Sequence, residues 1–551
     1  MLTRRTLLAR MAGAGAVLSG LRLPSFTLGG LAPRPARPTP AQRAWQDLEL
    51  GMFVHFAPNT WQEKEYDDLS LAPGAIMENV DTEQWVDTAI ALGARYIVLV
   101  AKHAGGFCLW QTDTTDYSIK NSPWKGGKGD VMASLADACG RRGLQLGVYL
   151  SPRDDKHGAG LSGKCATPDA QAAYDELYRR QLTELLSRYG PIVELWLDGS
   201  SVVPTGDIVA RYQPDAMVFQ GPQATIRWVG NEDGFAPYPC WNALAAADAK
   251  TGIATALHGD PAGDVWMPVE VDVSIRRPNW FWNTTDEKNV LTLDQLVEIY
   301  YRSVGRGTQL LLNMPPDRSG RIPALDAARA GEFGDAIRSR FGAAVGEGAV
   351  TGRLLDISLG STQRVDHVIL QEAIGQGERV RGWRLEGYAW EHWQPLATGT
   401  QIGHKQIVPV RPDGYTILRL TVTDAVDEPI IRRLAAFNTG KAAPSTWSDQ
   451  AQLWADDAVG TWSGDSFTLE LTSKVAAAGQ YRLRFVALGN ARVEIRTLEL
   501  SVRGAAQPSL ARLAPGRKDA AIVTIPEAND SVTIRVRLRE SAQGTALLQR
   551  L

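Results

Sequence analysis

Cysteine and histidine are scarce in this chain of 551 residues, and its net charge is small. The 4 Cys are far apart and form no CxxC pair, so neither a zinc ribbon nor a thioredoxin-like site is expected. We expect buried thiols and leave a disulfide open. The 7 His show no metal-ligand spacing, so no metal site is predicted. Because 58 Lys and Arg nearly balance 61 Asp and Glu, we expect no nucleic-acid partner.

Two missing motifs and one missing apolar run narrow the class further. No GxGxxG follows the first predicted strand, so a dinucleotide cofactor has little support and we predict none. No GxSxG or comparable serine or cysteine nucleophile stands out. No apolar stretch is long enough for a confident membrane span.

The first thirty residues have the features of an export signal. Residues 3–8, Thr-Arg-Arg-Thr-Leu-Leu, form a twin-arginine pattern, and an apolar stretch rich in Gly and Ala follows to about Leu21. A chance Arg-Arg pair is the alternative. No Cys follows the apolar stretch, so a lipoprotein anchor is not supported. We predict a signal over 1–30, a Pro- and Arg-rich linker over 31–40, and a periplasmic or secreted bacterial protein.

Short apolar runs alternate with amphipathic helical patterns over residues 41–330. The predicted strands are 51–56, 96–100, 144–150, 192–198, 216–220, 265–273, 281–283 and 309–313, and the helices between them include 82–92, 130–142, 169–189 and 292–304. This alternation indicates parallel βα units. About eight units over about 280 residues suit an α/β fold, a (β/α)8 barrel of typically about 250 residues. A doubly wound open sheet is the alternative.

The sequence becomes β-rich after a helical stretch near 328–343. Short apolar runs with frequent turn residues predict C-terminal β-sandwich domains. In the first, over 345–440, the run from Val365-Asp-His-Val-Ile-Leu-Gln-Glu372 through Trp383-Arg-Leu-Glu-Gly387 resembles the discoidin-like (galactose-binding-like) sandwich. A second β-rich domain is predicted over 446–551. Trp390 and Trp393 are candidates for a sugar-stacking platform, although core packing is the commoner use of Trp.

A carboxylate and a glycine end the fourth predicted strand, at Asp198 and Gly199. Barrel enzymes place their chemistry at the C-terminal ends of their strands. Asp198 is therefore our candidate for the nucleophile of a glycosidase. The alternative is a turn that merely closes the strand.

Cleavage of a glycosidic bond needs a second carboxyl group as acid and base. Glu232 is the first candidate, because it follows the predicted fifth strand, and burial near Trp228 is expected to raise its pKa. A solvated loop is the alternative. Glu270 is the rival, since it alternates with Asp272 and Ser274 on one strand face that a barrel directs inward. Arg276 is expected either to pair with one of these carboxylates or to reach a substrate hydroxyl.

Two of the histidines follow neighbouring strands. His55 ends the first predicted strand and His103 follows the second, so both are expected at the rim that carries Asp198. Neutral imidazoles there can hydrogen-bond sugar hydroxyls. A purely structural role is an equal alternative for each.

Many ordered segments resemble one known family, the α-L-fucosidases of glycoside hydrolase family 29. The segments carrying the resemblance, within about residues 45 to 322, are Gly51-Met-Phe-Val-His-Phe, Lys102-His103, Gly106-Phe-Cys-Leu-Trp110, Thr115-Asp-Tyr-Ser118, Ser122-Pro-Trp-Lys125, Gly129-Asp130, Gly147-Val-Tyr-Leu-Ser-Pro152, Glu194-Leu-Trp-Leu-Asp-Gly199, Arg227-Trp-Val-Gly-Asn-Glu232, Glu270-Val-Asp-Val-Ser-Ile-Arg276 and Leu311-Leu-Asn-Met-Pro-Pro-Asp-Arg318.

The resemblance implies a barrel followed by a β-sandwich, and retaining hydrolysis through a covalent fucosyl-enzyme intermediate. It implies Asp198 as nucleophile. The segment ending at Glu232 is similar to the branch that acts on α-1,3/1,4-linked fucose, which implies Glu232 as acid/base. The predicted substrate-binding set is His55, Trp61, His103, Tyr149, Trp196, Arg276 and Trp282.

One segment departs from the family pattern. Many relatives carry His and Asp after the Lys-His pair, whereas Ala104 and Gly105 stand here. We expect one hydrogen bond to the sugar to be lost or supplied elsewhere. The departure affects fucose recognition and linkage preference more than the type of reaction.

The sequence therefore predicts an exported, metal-independent α-L-fucosidase whose partner is a fucosylated oligosaccharide or glycoprotein glycan. An exo-glycosidase with another sugar in the pocket is the first alternative, and a non-catalytic glycan-binding protein is the second. Oligomeric state is not predicted.

Overall fold

The structure of the chain is a computed structural model. The structure describes residues 35–249, 258–389 and 391–444, and beyond these 459–461, 467–475, 479–487, 495–507, 519–527, 530–538 and 543–550. The predicted export signal lies outside the described residues. Ala36 is buried with Ala243, Trp266 and Ile374, so the described end of the predicted linker packs against the protein.

Eight parallel strands form a barrel-like sheet. In chain order the strands of this region are β1 (Leu50–Val54), β2 (Tyr96–Lys102), β3 (Gln145–Leu150), β4 (Ile192–Trp196), β5 (Met217–Phe219), β6 (Arg227–Trp228), β7 (Ala243–Leu244), β8 (Val265–Trp266), β9 (Val269–Ser274) and β10 (Gln309–Asn313). The sheet has the order β5-β4-β3-β2-β1-β10-β9-β6. A parallel bridge between Phe219 and Ile226 joins its two edges. β7 and β8 form a separate antiparallel hairpin.

Helices precede, connect and follow the strands of the barrel. They are α1 (Pro40–Gln46), α2 (Asn59–Gln62), α3 (Thr82–Leu92), α4 (Val131–Arg142), α5 (Pro168–Arg188), α6 (Gly206–Tyr212), α7 (Leu293–Arg302) and α8 (Ala324–Phe341). Asp81 caps α3 by accepting the Gln84 N–H, and Gly143 ends α4 with φ 72°. Helix α8, which corresponds to the predicted helical stretch near 328–343, packs against α3 and α7 and so belongs to the outer ring of helices.

The predicted (β/α)8 barrel is confirmed, but its sixth and seventh strands were predicted wrongly. The sixth strand is β6, whose two residues are too short to show an alternating pattern. The predicted strand 265–273 is divided at Pro268, which has no N–H to donate, into β8 and β9. Residues 281–283 form no strand; Phe281 is apolar because its ring packs against His55 and His103.

A six-stranded antiparallel sheet follows the barrel. Its strands are β11 (Gly346–Thr351), β12 (Leu354–Glu372), β13 (Val380–Ala389), β14 (His392–Gly399), β15 (Gln406–Ala425) and β16 (Ile430–Phe437), in the order β11-β16-β12-β15-β13-β14. They enclose a hydrophobic core that includes Trp383 and Tyr415. The likeness to discoidin domains stays a prediction. Trp393 packs against Tyr388 and Arg419, and Trp390 lies outside the described residues.

This sheet is bonded to the barrel through buried polar groups. The Gln401 side chain accepts from the Cys240 N–H at 2.7 Å and donates to the Cys240 carbonyl at 2.7 Å. Glu378 accepts from the side chain of Asn242 at 2.8 Å. The antiparallel domain therefore braces the segment that follows β6.

Two four-stranded antiparallel sheets form the C-terminal region. Their strands are β17 (Val459–Thr461), β18 (Phe467–Val475), β19 (Gly479–Ala487), β20 (Ile495–Val502), β21 (Ala505–Gln507), β22 (Asp519–Ile525), β23 (Asp530–Leu538) and β24 (Gln543–Arg550). The orders are β17-β24-β19-β22 and β18-β23-β20-β21. All four Cys of the chain are free thiols. Among the described residues, no helix has the length and apolar character needed to cross a membrane.

Gly51 tests the packing inside the barrel. It pairs with Tyr96 across β1 and β2, and an alanine Cβ there would lie 2.6–2.7 Å from two carbons of the buried Tyr96 ring. We predict that Gly51→Ala lowers the thermal midpoint because overpacking costs about 1–3 kcal/mol. Gly140→Ala is the control, since its Cβ would meet nothing within 4 Å. Calorimetry that ranks Gly51→Ala as stable as Gly140→Ala would contradict this packing.

Candidate active site

A cavity of about 280 Å³ opens at the C-terminal ends of the barrel strands. Six of the eight barrel strands and the loops that follow them supply its wall, because parallel strands all end on one side. The lining residues are Phe53, His55, Glu65, Tyr66, His103, Tyr149, Trp196, Asp198, Glu232, Asp272, Pro278 and Trp280. Asp198 and Glu232 thus face the same cavity.

Asp198 lies just beyond β4 and is accessible from the cavity. The walls of the cavity remove part of the hydration of the carboxyl group, and this partial desolvation raises its pKa. The Tyr149 hydroxyl opposes the effect by donating to Oδ2 of Asp198 at 3.1 Å. The nearby backbone N–H of Gly199, which donates to Oε1 of Gln220 at 2.7 Å, also lowers the pKa of Asp198. These two donors favour the ionised carboxylate that a nucleophile must present.

Glu232 lies on the loop that follows β6, not β5 as predicted, and its side chain is 23% exposed. Desolvation is the largest influence and raises its pKa. The Arg277 guanidinium lowers that pKa, the Asp198 carboxylate raises it, and a hydrogen bond from Trp280 lowers it. Glu232 therefore combines a raised pKa with groups that also stabilise its charged form.

Two further carboxyl groups line the cavity. The Trp228 indole N–H donates to Oδ1 of Asp272 at 2.6 Å, and burial followed by the charge of Glu232 raises the pKa of Asp272 to about 8. Glu65 accepts the backbone N–H of Trp280 at 3.1 Å, and burial raises its pKa to about 7. Asp272 is therefore favoured in the neutral form at pH 7, whereas Glu65 is divided about equally between its neutral and charged forms.

The two histidines lie side by side at the cavity. His55 hydrogen-bonds Asn313 through Nδ1 at 2.8 Å, and burial lowers its pKa to about 3. His103 stacks on Tyr149 with ring centroids 6.0 Å apart, and burial lowers its pKa to about 4. Both imidazoles are thus neutral near pH 7 and suited to hydrogen bonding with hydroxyl groups.

Aromatic rings close the inner part of the cavity. The ring of Trp196 stacks on Phe219 and contacts Phe53 with ring centroids 4.9 Å apart. Its indole N–H donates to Oε1 of the buried Glu194 at 2.5 Å, which fixes the ring plane. Trp280 adds a further wall, 5.2 Å from the His55 ring.

The structure does not place Arg276 in the cavity. Its guanidinium is 2% exposed and pairs with Asp326 at 2.6 Å and with Asp286. Of the two roles that the sequence left open, the structure shows the internal ion pair, here with carboxylates of other segments. Arg276 therefore pairs with these internal carboxylates and is not among the residues that line the cavity.

Glu270, the rival acid/base, also lies outside the cavity lining. It is fully buried in the barrel interior, where the Tyr96 hydroxyl donates to Oε2 at 3.3 Å. It shares a strand face with Asp272, but each residue along a strand rises about 3.3 Å, so Glu270 is a full layer deeper. The alternating sequence pattern identified the inward face of the strand correctly, but it does not show how deep in the barrel each residue lies.

Two predicted sugar contacts lie away from the cavity lining. Trp61 packs its ring against Phe56 and belongs to the margin of the hydrophobic core. The guanidinium of Arg318 lies over Trp282, with its Cζ 5.7 Å from the centroid of the indole ring. Glu65, Tyr66 and Trp280 also line the cavity and were not predicted from the sequence, because loop residues carry no periodic signal. Asp272 was recognised on the inward face, but no role was given to it.

The departure at Ala104 and Gly105 has a packing explanation. A Cβ at Gly105 would lie 2.5 Å from the Cβ and Oδ2 of Asp67. Asp67 is held there by the Tyr117 hydroxyl at 2.6 Å and by Gln62 at 2.8 Å. The Asp67 side chain thus fills the space beside Gly105.

The cavity has the groups that acetal hydrolysis requires. Hydrolysis of a glycosidic bond uses one carboxylate and one carboxylic acid on either side of the bond, with neutral donors and acceptors around the sugar. Within the described residues, no group of three or more His, Cys, Asp or Glu side chains is arranged to hold a metal ion. Fold and site together define a glycoside hydrolase.

Comparison with known proteins identifies the family. A family model described as Alpha-L-fucosidase matches residues 62–339. Alpha-L-fucosidase 1 of Arabidopsis thaliana is 32% identical over 458 residues, covering 74% of this chain and 88% of the plant protein. This chain belongs to the α-L-fucosidase family, glycoside hydrolase family 29.

Two solved structures are similar to this chain over most of their length. A glycoside hydrolase 29 family member from an unknown rumen bacterium is 27% identical with a TM-score of 0.67, covering 94% of this chain and 100% of that chain. A Ruminococcus gnavus family 29 fucosidase in complex with fucose is 27% identical with a TM-score of 0.65, covering 73% of this chain and 96% of that chain.

Arg276→Met tests the corrected role of this arginine. Breaking a buried pair leaves Asp286 and Asp326 without a counter-charge, so we predict a loss of about 3–5 kcal/mol in the free energy of unfolding. The KM of the folded fraction is expected to stay unchanged. Arg318→Met is the control, because its pair with Glu63 is half exposed and contributes at most about 1 kcal/mol. Wild-type stability with a tenfold higher KM would return Arg276 to substrate binding.

Proposed function

We propose that this chain is a retaining exo-α-L-fucosidase that removes terminal α-1,3/1,4-linked L-fucose from glycans. The observation that carries the proposal is that Asp198 and Glu232 line one cavity with contrasting surroundings. The fucose complex of the R. gnavus relative supports the choice of sugar. The sequence segment that ends at Glu232 supports the choice of linkage.

In the first step Asp198 acts as the nucleophile. An oxygen of its carboxylate forms a bond to the anomeric carbon of fucose while the bond from that carbon to the glycosidic oxygen breaks. The departing oxygen keeps the electron pair and takes the proton of the Glu232 carboxylic acid. The products are a fucosyl ester on Asp198, the shortened glycan and the Glu232 carboxylate.

In the second step Glu232 acts as the base. Its carboxylate removes a proton from water as the water oxygen attacks the anomeric carbon from the side the glycan has left. The ester bond breaks and its electron pair returns to Asp198. Two inversions give net retention, and both carboxyl groups regain their starting protonation.

The surrounding groups have separate tasks in this proposal. Tyr149 stabilises the Asp198 carboxylate, as its 3.1 Å hydrogen bond indicates. His55 and His103 are neutral and bind sugar hydroxyls, while Trp196 and Trp280 cover the apolar faces of the ring. The twin-arginine pattern supports export to the periplasm or beyond, where such glycans are met.

Replacement of Asp198 tests the nucleophile. We predict that Asp198→Ala lowers kcat at least about 1,000-fold, more than about 4 kcal/mol of transition-state stabilisation. Azide fits the space left by the carboxylate, so it is expected to restore turnover and give β-fucosyl azide, detected by NMR. Asp137→Asn, 69% exposed on α4, is the control and should keep wild-type kinetics. Unchanged turnover in Asp198→Ala would exclude this residue from the mechanism.

A panel of defined fucosyl oligosaccharides tests the linkage. We predict release of fucose from α-1,3 and α-1,4 linkages at least about tenfold faster, by kcat/KM, than from α-1,2 and α-1,6 linkages, measured by chromatography of the released sugar. Equal rates on all four would contradict the proposed linkage preference. Binding of these oligosaccharides without release of fucose would favour a glycan-binding protein. In a parallel assay with nitrophenyl glycosides of several sugars, cleavage of a glycoside other than the fucoside would favour a different sugar.

A further inference from the structure

Arg277 contacts the loop that carries Glu232. This arginine follows β9, and its guanidinium donates to the backbone carbonyl of Glu232 through Nη1. Its Nη2 lies 3.0 Å from Oδ1 of Asp233, and its Nη1 lies 3.7 Å from Oε2 of Glu232. One side chain from the end of β9 thus reaches both the backbone and the carboxyl group of the acid/base candidate.

The contacts of Arg277 fall in the middle of this loop. At the start of the loop the Val229 N–H donates to the backbone carbonyl of Glu270. At its end the Ala236 N–H donates to the backbone carbonyl of Arg302. Within the loop the Asn231 side chain links to Phe235 and Asp233. From outside its own loop, Glu232 is therefore contacted by the guanidinium of Arg277 and by the side chain of Trp280.

The charges around Glu232 give this contact a chemical meaning. The carboxyl groups of Asp198, Asp233, Asp272 and Glu65 all act on Glu232, and the positive group that faces it is Arg277. The carboxylates disfavour a negative charge on Glu232, whereas the guanidinium favours it.

We propose that Arg277 is a positioning residue for Glu232, holding its loop against the end of β9 and stabilising the Glu232 carboxylate that the second step of hydrolysis needs. This inference rests on the proposed role of Glu232 as acid and base. Glu232 must give up its proton in the first step and take one from water in the second, so it has to be stable in both forms. Burial supports the acid, and Arg277 supports the base.

Substrates with different leaving groups separate the two steps. A dinitrophenyl α-L-fucoside needs no acid to expel its leaving group, so its kcat reports the second step, in which Glu232 is the base. An oligosaccharide has a poor leaving group, so its kcat/KM reports the first step, in which Glu232 is the acid. Both pH profiles are measured for each variant, with thermal midpoints as a check of folding.

Arg277→Gln removes the charge and is expected to raise the pKa of Glu232. The kcat of the dinitrophenyl substrate requires the carboxylate, so its acid limb should move up by about one pH unit. The kcat/KM of the oligosaccharide requires the acid, so its alkaline limb should move up in the same direction. We also expect kcat at neutral pH to fall about tenfold and azide, which needs no base, to restore it.

Two other variants complete the test. Arg277→Lys keeps the charge, so both limbs should stay near their wild-type positions while kcat falls because the hydrogen bond to the carbonyl is lost. Arg179→Gln is the matched control, since Arg179 also contacts a loop carbonyl, of Pro204, and a carboxylate, of Asp207, on the outside of the barrel. It should keep both limbs and kcat.

The outcomes distinguish this inference from the proposed function. The Glu232→Gln variant first has to show the loss of base-dependent turnover. If it does, and both pH profiles of Arg277→Gln keep their limbs at the wild-type positions, the role of Arg277 is overturned. If Glu232→Gln keeps turnover and both limbs, the assignment of Glu232 fails, and the role of Arg277 fails with it. If Arg277→Gln does not fold, Arg277→Lys decides, and wild-type kcat in that variant would overturn the inference.

Discussion

The crowding of carboxyl groups in one partly desolvated cavity is the constraint on which the site depends. Glu65, Asp198, Glu232 and Asp272 all line it, and a negative charge on any one of them disfavours a charge on its neighbours. Their local partners therefore decide which group is ionised. Tyr149 and the Gly199 N–H favour charge on Asp198, while burial keeps Asp272 neutral near pH 7. Similar carboxyl groups in one cavity thus differ in how readily they bind a proton.

The fold supplies the two ends of this arrangement from different parts of the sheet. Asp198 follows β4, whereas the Glu232 loop follows β6, which pairs with β9. The edge strands of the sheet are β5 and β6. A bridge between Phe219, at the end of β5, and Ile226, just before β6, connects them, so the barrel is closed between the strands that lead to the two carboxyl groups. The antiparallel domain contributes from a distance, because Gln401 and Glu378 hold the segment after the Glu232 loop.

Strand ends were predictable from the sequence, whereas loop contacts and depth inside the barrel were not. His55, His103 and Asp198 follow apolar runs that mark strands, and the structure brings all three to the cavity. The alternation around Glu270 gave a face, but which layer of the interior a residue occupies depends on the tilt and register of the strands. The sequence around Arg276 would look the same whether its side chain contacted a sugar or, as here, paired with Asp286 and Asp326. Loop residues such as Glu65 have no periodicity, so only the folded chain places them.

The covalent intermediate on Asp198 is the central chemical claim, and trapping it is the most direct measurement. A 2-deoxy-2-fluoro-α-L-fucosyl fluoride slows both steps through its electron-withdrawing fluorine but provides a leaving group that needs little help from an acid. The fucosyl-enzyme should then accumulate, and mass spectrometry of peptides should find the sugar on Asp198. A label on Glu65, Glu232 or Asp272, or turnover of the reagent with no labelled peptide, would contradict the mechanism.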